Sequence, residues 1–288
     1  MSILNQHIEM TECPRDAMQG IGSWIPTQKK IQYLNALLKC GFDTLDFGSF
    51  VSPKAIPQMK DTAQVLAHLE ESKTKLLAIV ANARGAQEAG NFERVSILGF
   101  PYSVSETFQL RNTNSSSLET LKVLDEIARI CIFQKKKLRI YISMGFGNPY
   151  GEPWSEQLVA QSIYELKNRF DIVEFAISDT IGCADPDSAH QLFNLLFSSF
   201  AETKFSAHLH VVPGNENELI SAVFNGGCRH FDTALGGFGG CPMAKDQLTG
   251  NLSTESLMLF LKNKQIANPL NEDRLKEAQK LSMSIFSS

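Results

Sequence analysis

Apolar positions along this chain follow two different spacings. Short runs nearly continuous in Val, Ile, Leu, Phe and Ala recur at residues 7–13 (HIEMTEC), 43–49 (DTLDFGS), 75–81 (KLLAIVA) and 94–100 (RVSILGF). Four more follow at 138–144 (LRIYISM), 172–178 (IVEFAIS), 204–210 (KFSAHLH) and 229–235 (RHFDTAL). Such runs suit strands covered on both faces, as in a parallel sheet. Between them the spacing lengthens to 3.6 residues. In 27–41, Ile31, Leu34, Leu37 and Leu38 fall on one stripe, and Gly41 stands where a helix would end. Residues 116–133 and 155–170 repeat the pattern, and 214–227 closes on Gly226-Gly227.

Eight strand–helix units in sequence predict an α/β protein of the TIM (β/α)8 barrel type, usually about 250 residues long. The amphipathic stretch 271–286 predicts one additional C-terminal helix, lying outside the barrel or across one end. No linker and no internal repeat is visible. One domain is therefore expected over 1–288, with the barrel at about 7–265 and the last helix at about 271–286. A doubly wound nucleotide-binding sheet would want G-x-G-x-x-G directly after its first strand. Pro14-Arg15-Asp16 stands there instead.

Composition narrows the partners. Hydrophobic residues make up 43% and charged residues 20%, which suits a packed core. The net charge of −4 argues against nucleic acid, whose phosphates need a basic surface. The basic cluster QKKKLR at 134–139 reads as the solvated entry to a strand. No apolar stretch reaches the roughly eighteen residues of a membrane span, and the N-terminus lacks the pattern of a secretory signal. Six cysteines, at 13, 40, 131, 183, 228 and 241, show no CxxC pair, so reduced thiols and a cytoplasmic location are expected. A small molecule is the expected partner.

In a TIM barrel, catalytic side chains come from the C-terminal ends of the strands. The first predicted strand ends at Arg15-Asp16, the second carries Asp46, and the sixth ends at Asp179-Thr180. The seventh ends in His208 and His210, whose i, i+2 spacing puts both imidazoles on one face. The eighth leads into GGFGGCPMAKDQLTGN, which carries Cys241 and ends at Asn251. An H-x-H pair alone is more often packing than ligation. With an aspartate at another strand end and an amide after the eighth strand, it points to a metal site of Asp16, His208, His210 and Asn251. That donor set suits Mg²⁺ or Mn²⁺ better than Zn²⁺. Gly236, Gly237, Gly239 and Gly240 crowd ahead of Cys241. They suit either a mobile loop carrying an exposed thiol, a natural proton donor or acceptor, or a tight turn around a buried one. Asp46 and Asp179 could support this group or cap helices. Glu12 and Asp43 are as readily solvated as functional.

With those residues in place, the chain resembles the 3-hydroxy-3-methylglutaryl-CoA (HMG-CoA) lyases, barrels of the DRE-TIM metallolyase superfamily. The resemblance runs from about residue 8 to 260 and rests on PRDAMQ, SFVSPKAIPQM, SDTIG, HLH and GGFGGCPMA…GN, in that order. The second motif and the G-G-C-P loop are specific; DTIG is shared more widely. The resemblance implies metal ligation by Asp16, His208, His210 and Asn251, Arg15 at the thioester oxygen, Cys241 in proton transfer, and a homodimer. The reaction it implies cleaves HMG-CoA to acetyl-CoA and acetoacetate.

Chemistry agrees with this set. Such a cleavage deprotonates a tertiary hydroxyl, breaks a carbon–carbon bond and holds a thioester enolate. A divalent metal lowers the alcohol pKa, His208 or an aspartate such as Asp16 or Asp46 takes the proton, and a fixed guanidinium stabilises the oxyanion. The chain departs from the family pattern at Asp46, where a glutamate is usual, and at Ala17-Met18 for Gly-Leu. It also has Gly22 for a lysine, Val211 for the aspartate after the second histidine, and a span from Cys241 to Asn251 one residue longer. Two other readings share the barrel: a condensing enzyme or aldolase using the same metal, and a scaffold without catalysis.

Overall fold

The computed structural model describes residues 7–212, 214–240 and 249–286. Eight parallel strands form the barrel: β1 (Glu9–Glu12), β2 (Thr44–Ser49), β3 (Lys75–Ile79), β4 (Val95–Ser103), β5 (Lys137–Ser143), β6 (Glu174–Asp179), β7 (Lys204–Val211) and β8 (His230–Thr233). Each pairs with its sequence neighbours, and β1 pairs with β8, so the barrel closes without an edge. A ninth strand, β9 (Gly250–Asn251), runs antiparallel to the end of β7 and sets Asn251 opposite His210. All eight strands expected from the apolar runs are present. β2 and β6 are buried along their whole length, as the absence of alternation in their sequences implied.

The helices cover the outside. α2 (Thr27–Leu37) buries Ile31, Tyr33, Leu34 and Leu37. It stops short of Gly41, whose φ of +97° turns the chain toward β2. α6 (Ser117–Phe133) begins with a capping box, in which Ser116 and Glu119 satisfy each other's backbone N–H groups. α7 (Glu156–Phe170), α9 (Glu216–Asn225) and α11 (Glu272–Phe286) also match the expected helices. Among the described residues, no helix is long and apolar enough to cross a membrane.

Other helices were not singled out by the periodicity. α1 (Pro14–Gln19) starts directly after β1 with Pro14 in its first turn, a favoured place for proline. It spans barely more than one turn, too short for a repeat to show. α3 (Thr62–Leu66), α4 (Ala83–Gly90), α5 (Glu106–Thr113), α8 (Pro186–Ser199) and α10 (Thr254–Asn263) complete the outer layer. α11 packs against α2 and the turn at Leu235–Gly237, with Phe286 stacked on Phe238 at 4.6 Å between ring centroids.

The basic cluster at 134–139 is not wholly a solvated strand entry. Lys135 and Lys137 are exposed, but Arg139 is completely buried inside the barrel. Lys137 shares its face of β5 but stands at the strand's exposed first position, and Arg139 lies two residues deeper in the barrel. Its Nη1 donates to Thr11 Oγ1 at 3.1 Å, and its Nη2 donates to Asp232 Oδ1 at 2.6 Å and to Ser206 Oγ. The register seats Asp232 between Thr11 on β1 and His208 on β7. Toward the other side of the lumen, Leu77, Ile97, Tyr141 and Ala176 form an apolar cluster separate from the main core.

Replacing Arg139 with methionine keeps most of the volume and takes from the buried Asp232 carboxylate the guanidinium that neutralises it. Urea unfolding of Arg139→Met should show a stability loss of about 3–5 kcal/mol, and a loss under about 1 kcal/mol would refute this account of the lumen.

Candidate active site and metal centre

Because α1 begins where β1 ends, Arg15 and Asp16 fall in the first helical turn at the C-terminal mouth of the barrel. The position favours a carboxylate, since free backbone N–H groups point there. Both side chains are buried. Arg15 Nε donates to Asp46 at 3.0 Å and Nη2 donates to the same carboxylate at 2.5 Å. Its Nη1 donates to Asp16 Oδ1 at 2.8 Å and to Gln19 Oε1 at 3.0 Å. Burial opposes the Arg15 charge, yet Asp46 and Asp16 outweigh it and raise its pKa further. Asp46 therefore spends both oxygens on Arg15. Burial raises its own pKa, and Arg15 offsets only part of that.

Asp16 Oδ1 also accepts from Gln19 Nε2 at 2.7 Å, and Oδ2 accepts from Asn251 Nδ2 at 2.8 Å. Burial disfavours its charge, but Arg15 and the two histidines hold the carboxyl well below the usual range. Asn251 Nδ2 donates in addition to Phe238 O at 2.9 Å. Gly239, with φ +106°, lies so close that a Cβ there would stand 2.4 Å from Asn251 Nδ2 and 2.9 Å from Ala17 Cα. A Cβ at Gly250 would stand 2.1 Å from Gly237 O. These glycines answer a demand for close backbone approach, whatever freedom they also confer.

Each histidine is oriented through Nδ1. That of His208 meets Asp232 Oδ2 at 3.2 Å, and that of His210 meets Thr180 O at 3.0 Å. A carbonyl only accepts, so His210 Nδ1 carries a proton and Nε2 is the nitrogen turned toward Asp16. This Nε2 is buried, lacks a hydrogen-bond partner among the described residues and stands 3.7 Å from Asp16 Oδ2. Donor atoms of Asp16, His208 and His210 all lie within 4.8 Å of one another. An unsatisfied imidazole nitrogen facing a carboxylate is a poor arrangement for packing and a suitable one for a cation. The three residues fit a metal-binding site, and Asn251 stands against it.

Other expected residues fall as follows. Asp179 accepts from the backbone N–H groups of Cys183 at 2.9 Å and Ala184 at 3.0 Å, so it shapes the turn after β6. Glu12 is fully buried. Asp43 is partly exposed and caps Met10 N at 2.9 Å. Cys241 lies outside the described residues. Sequence reasoning missed Asp232, Arg139 and Gln19. Gln19 was findable, standing four residues after Arg15 and three after Asp16 on one helical face. Asp232 stands beside His208 by register alone. Burial opposes its charge, but Arg139 and His208 hold its carboxyl well below the usual range.

A cavity of about 540 Å³ opens over these groups, from Asp16 and His208 past Tyr141 and Phe100 to Asn112 and Asn114. That volume suits a ligand of drug size, with an apolar wall and few polar anchors.

A family model described as HMGL-like matches residues 8–281. The chain is 31% identical to the hydroxymethylglutaryl-CoA lyase of Bacillus subtilis, covering 93% of this chain and 89% of that one. It is 30% identical to the mitochondrial hydroxymethylglutaryl-CoA lyase of Bos taurus, covering 92% and 81%. Among solved structures, an HMG-CoA lyase from Acinetobacter baumannii in complex with coenzyme A and 3-methylmalate superposes with a TM-score of 0.91 at 28% identity. That match covers 100% of this chain and 93% of the other.

Since Asp232 orients His208, Asp232→Asn should let the ring adopt the wrong tautomer. Calorimetric titration should show Mn²⁺ affinity falling about 10–100-fold, and unchanged affinity would deny Asp232 that role.

Proposed function

This chain belongs to the HMGL-like family of lyases, and we propose on that premise that it cleaves HMG-CoA to acetyl-CoA and acetoacetate. The reaction we assign is a divalent-metal-dependent retro-Claisen cleavage. The observation that carries this reading is the meeting of Asp16, His208 and His210 within 4.8 Å, next to a buried guanidinium, on the wall of one cavity. Its substrate is an acyl-CoA small molecule, with no nucleic acid or membrane partner. We further assign one catalytic domain over 1–288, a homodimer, and a cytoplasmic location that suits the five free cysteines of the described residues.

Asp16, His208, His210 and Asn251 would hold Mg²⁺ or Mn²⁺, which when bound acidifies the substrate's tertiary hydroxyl and orients its carboxylate. The remaining work falls to the protein. In this reading Asp16, whose carboxylate oxygens keep lone pairs beyond the one given to the ion, receives the hydroxyl proton, and the Asp232 carboxylate at Nδ1 of His208 fixes that ring with Nε2 toward the ion. The C3–O⁻ electrons form the acetoacetate ketone as the C2–C3 bond breaks, and that bond's pair becomes the enolate of acetyl-CoA. Arg15 has five N–H groups, and its bonds to Asp46, Asp16 and Gln19 use four. The fifth, on Nη2, is the donor we assign to the enolate oxygen. Asp46 thus acts as a positioning residue, fixing the guanidinium plane. Cys241, by resemblance, protonates C2.

A cleavage assay on HMG-CoA with Mg²⁺ or Mn²⁺ tests the proposal. Activity should vanish on chelation and return with either ion. Arg15→Ala should lower kcat by about 10²–10³, the usual worth of an oxyanion donor, and a loss below about tenfold would remove Arg15 from that role. Wild-type protein that binds metal yet leaves HMG-CoA intact would refute the substrate assignment.

A further inference from the structure

Glu12 ends β1, with its side chain on the opposite face from Thr11, which bonds Arg139 in the lumen. It is completely buried between the barrel wall and the outer layer. Its Oε1 accepts from Leu235 N at 2.7 Å, and Oε2 meets Thr254 Oγ1 at 2.7 Å and Thr233 Oγ1 at 3.4 Å. Thr254 Oγ1 in turn meets Thr233 Oγ1 at 2.9 Å. One carboxyl therefore grips two pieces of chain, the end of β8 with its following turn and the start of α10.

Those two pieces are the anchorage of Asn251. Ala234 N donates to Leu252 O at 3.0 Å, Thr254 N donates to Ala234 O at 3.3 Å, and Leu252 N donates to Leu209 O at 2.8 Å. Asn251 stands next to this ladder and reaches Asp16, four residues beyond Glu12. We propose that Glu12 is a positioning residue of the active site, pinning segments 233–235 and 252–254 to β1 so that Asn251 stays at Asp16. The inference rests on the metal-site reading of those two residues and adds a residue to its support.

The surroundings keep this carboxyl neutral. The groups facing it are Thr233, Thr254, Tyr33 of α2, Cys40 after α2, and Glu255 of α10, none of them cationic. Ser282 of α11 adjoins Tyr33. Burial, aided by the Glu255 charge, pushes the Glu12 pKa up to about 8 against the pull of its hydrogen bonds. Glu12 accepts from Leu235 N at Oε1, and its Oε2 shares a hydrogen bond with the Thr254 hydroxyl, which also meets Thr233. Because this pKa stands above the ordinary 4.5, the stability Glu12 contributes is whole below that pH and is lost as pH rises toward about 8.

The full chain carrying Glu12→Gln, Glu12→Val or Thr254→Val tests this. Glutamine keeps both an acceptor and a donor, so its Mn²⁺ affinity at pH 7 should stay within about threefold of wild type, whereas Glu12→Val should bind about tenfold or more weakly. Thr254→Val, which removes one hydroxyl and folds more safely, should also bind more weakly. The thermal stability of Glu12→Gln should equal wild type near pH 5 and exceed it increasingly toward pH 8. Valine variants that bind Mn²⁺ like wild type, or a glutamine variant as weak as Glu12→Val, would overturn the pin. So would a crystal structure of Glu12→Val with Asn251 still bonded to Asp16. These readouts need no turnover, so they separate failure of the pin from failure of the substrate assignment.

Discussion

A charge taken out of water must find its partner inside the protein, and the mouth and lumen of this barrel are arranged around that requirement. Arg139 lies wholly inside the lumen, and Asp232 answers it at 2.6 Å. The second oxygen of Asp232 then reaches His208 at 3.2 Å. Removing an ion from water costs several kcal/mol even after relaxation, so neither charge would stay buried alone. The pair is thus a structural necessity whose by-product is an oriented imidazole. A few ångströms away, Arg15 is shared between Asp46 and Asp16, and Asp16 is shared in turn with Gln19 and Asn251.

The result is a site in which most polar atoms are already committed. Exceptions include His210 Nε2, buried and without a hydrogen-bond partner among the described residues, and one N–H of Arg15. Rigidity of this kind is what electrostatic catalysis needs, because groups already aimed cost no reorganisation when charge develops. It also explains why the site draws on so many elements. β1 leads to Arg15 and Asp16, β2 supplies Asp46, β7 both histidines, β8 Asp232 and β9 Asn251. Closure of the barrel brings their ends to one rim.

The backbone contributes as much as the side chains. Gly237, Gly239 and Gly240 have positive φ, and Gly239 and Gly250 lie where a Cβ would collide with Asn251 or with Gly237. Phe238 lends its carbonyl to Asn251 and its ring to Phe286, so the C-terminal helix bears on the same corner of the site. A glycine-rich run can mean mobility or crowding. Here the described part of the run is crowded.

Sequence alone determined the barrel, because strands covered on both faces must be nearly continuous in apolar residues and helices covered on one face must repeat at 3.6. It also singled out Asp16, His208, His210 and Asn251 as polar residues near strand ends. Their convergence was not in the sequence. Nor was the difference between Arg139 and the lysines before it, which share a run but differ in depth along the strand. Glu12 and Asp232 read as ordinary acidic residues until strand register brought Leu235, Thr254, His208 and Arg139 to them. The contacts that hold a closed sheet join residues as much as 242 positions apart, and only the folded chain brings such residues within hydrogen-bond reach.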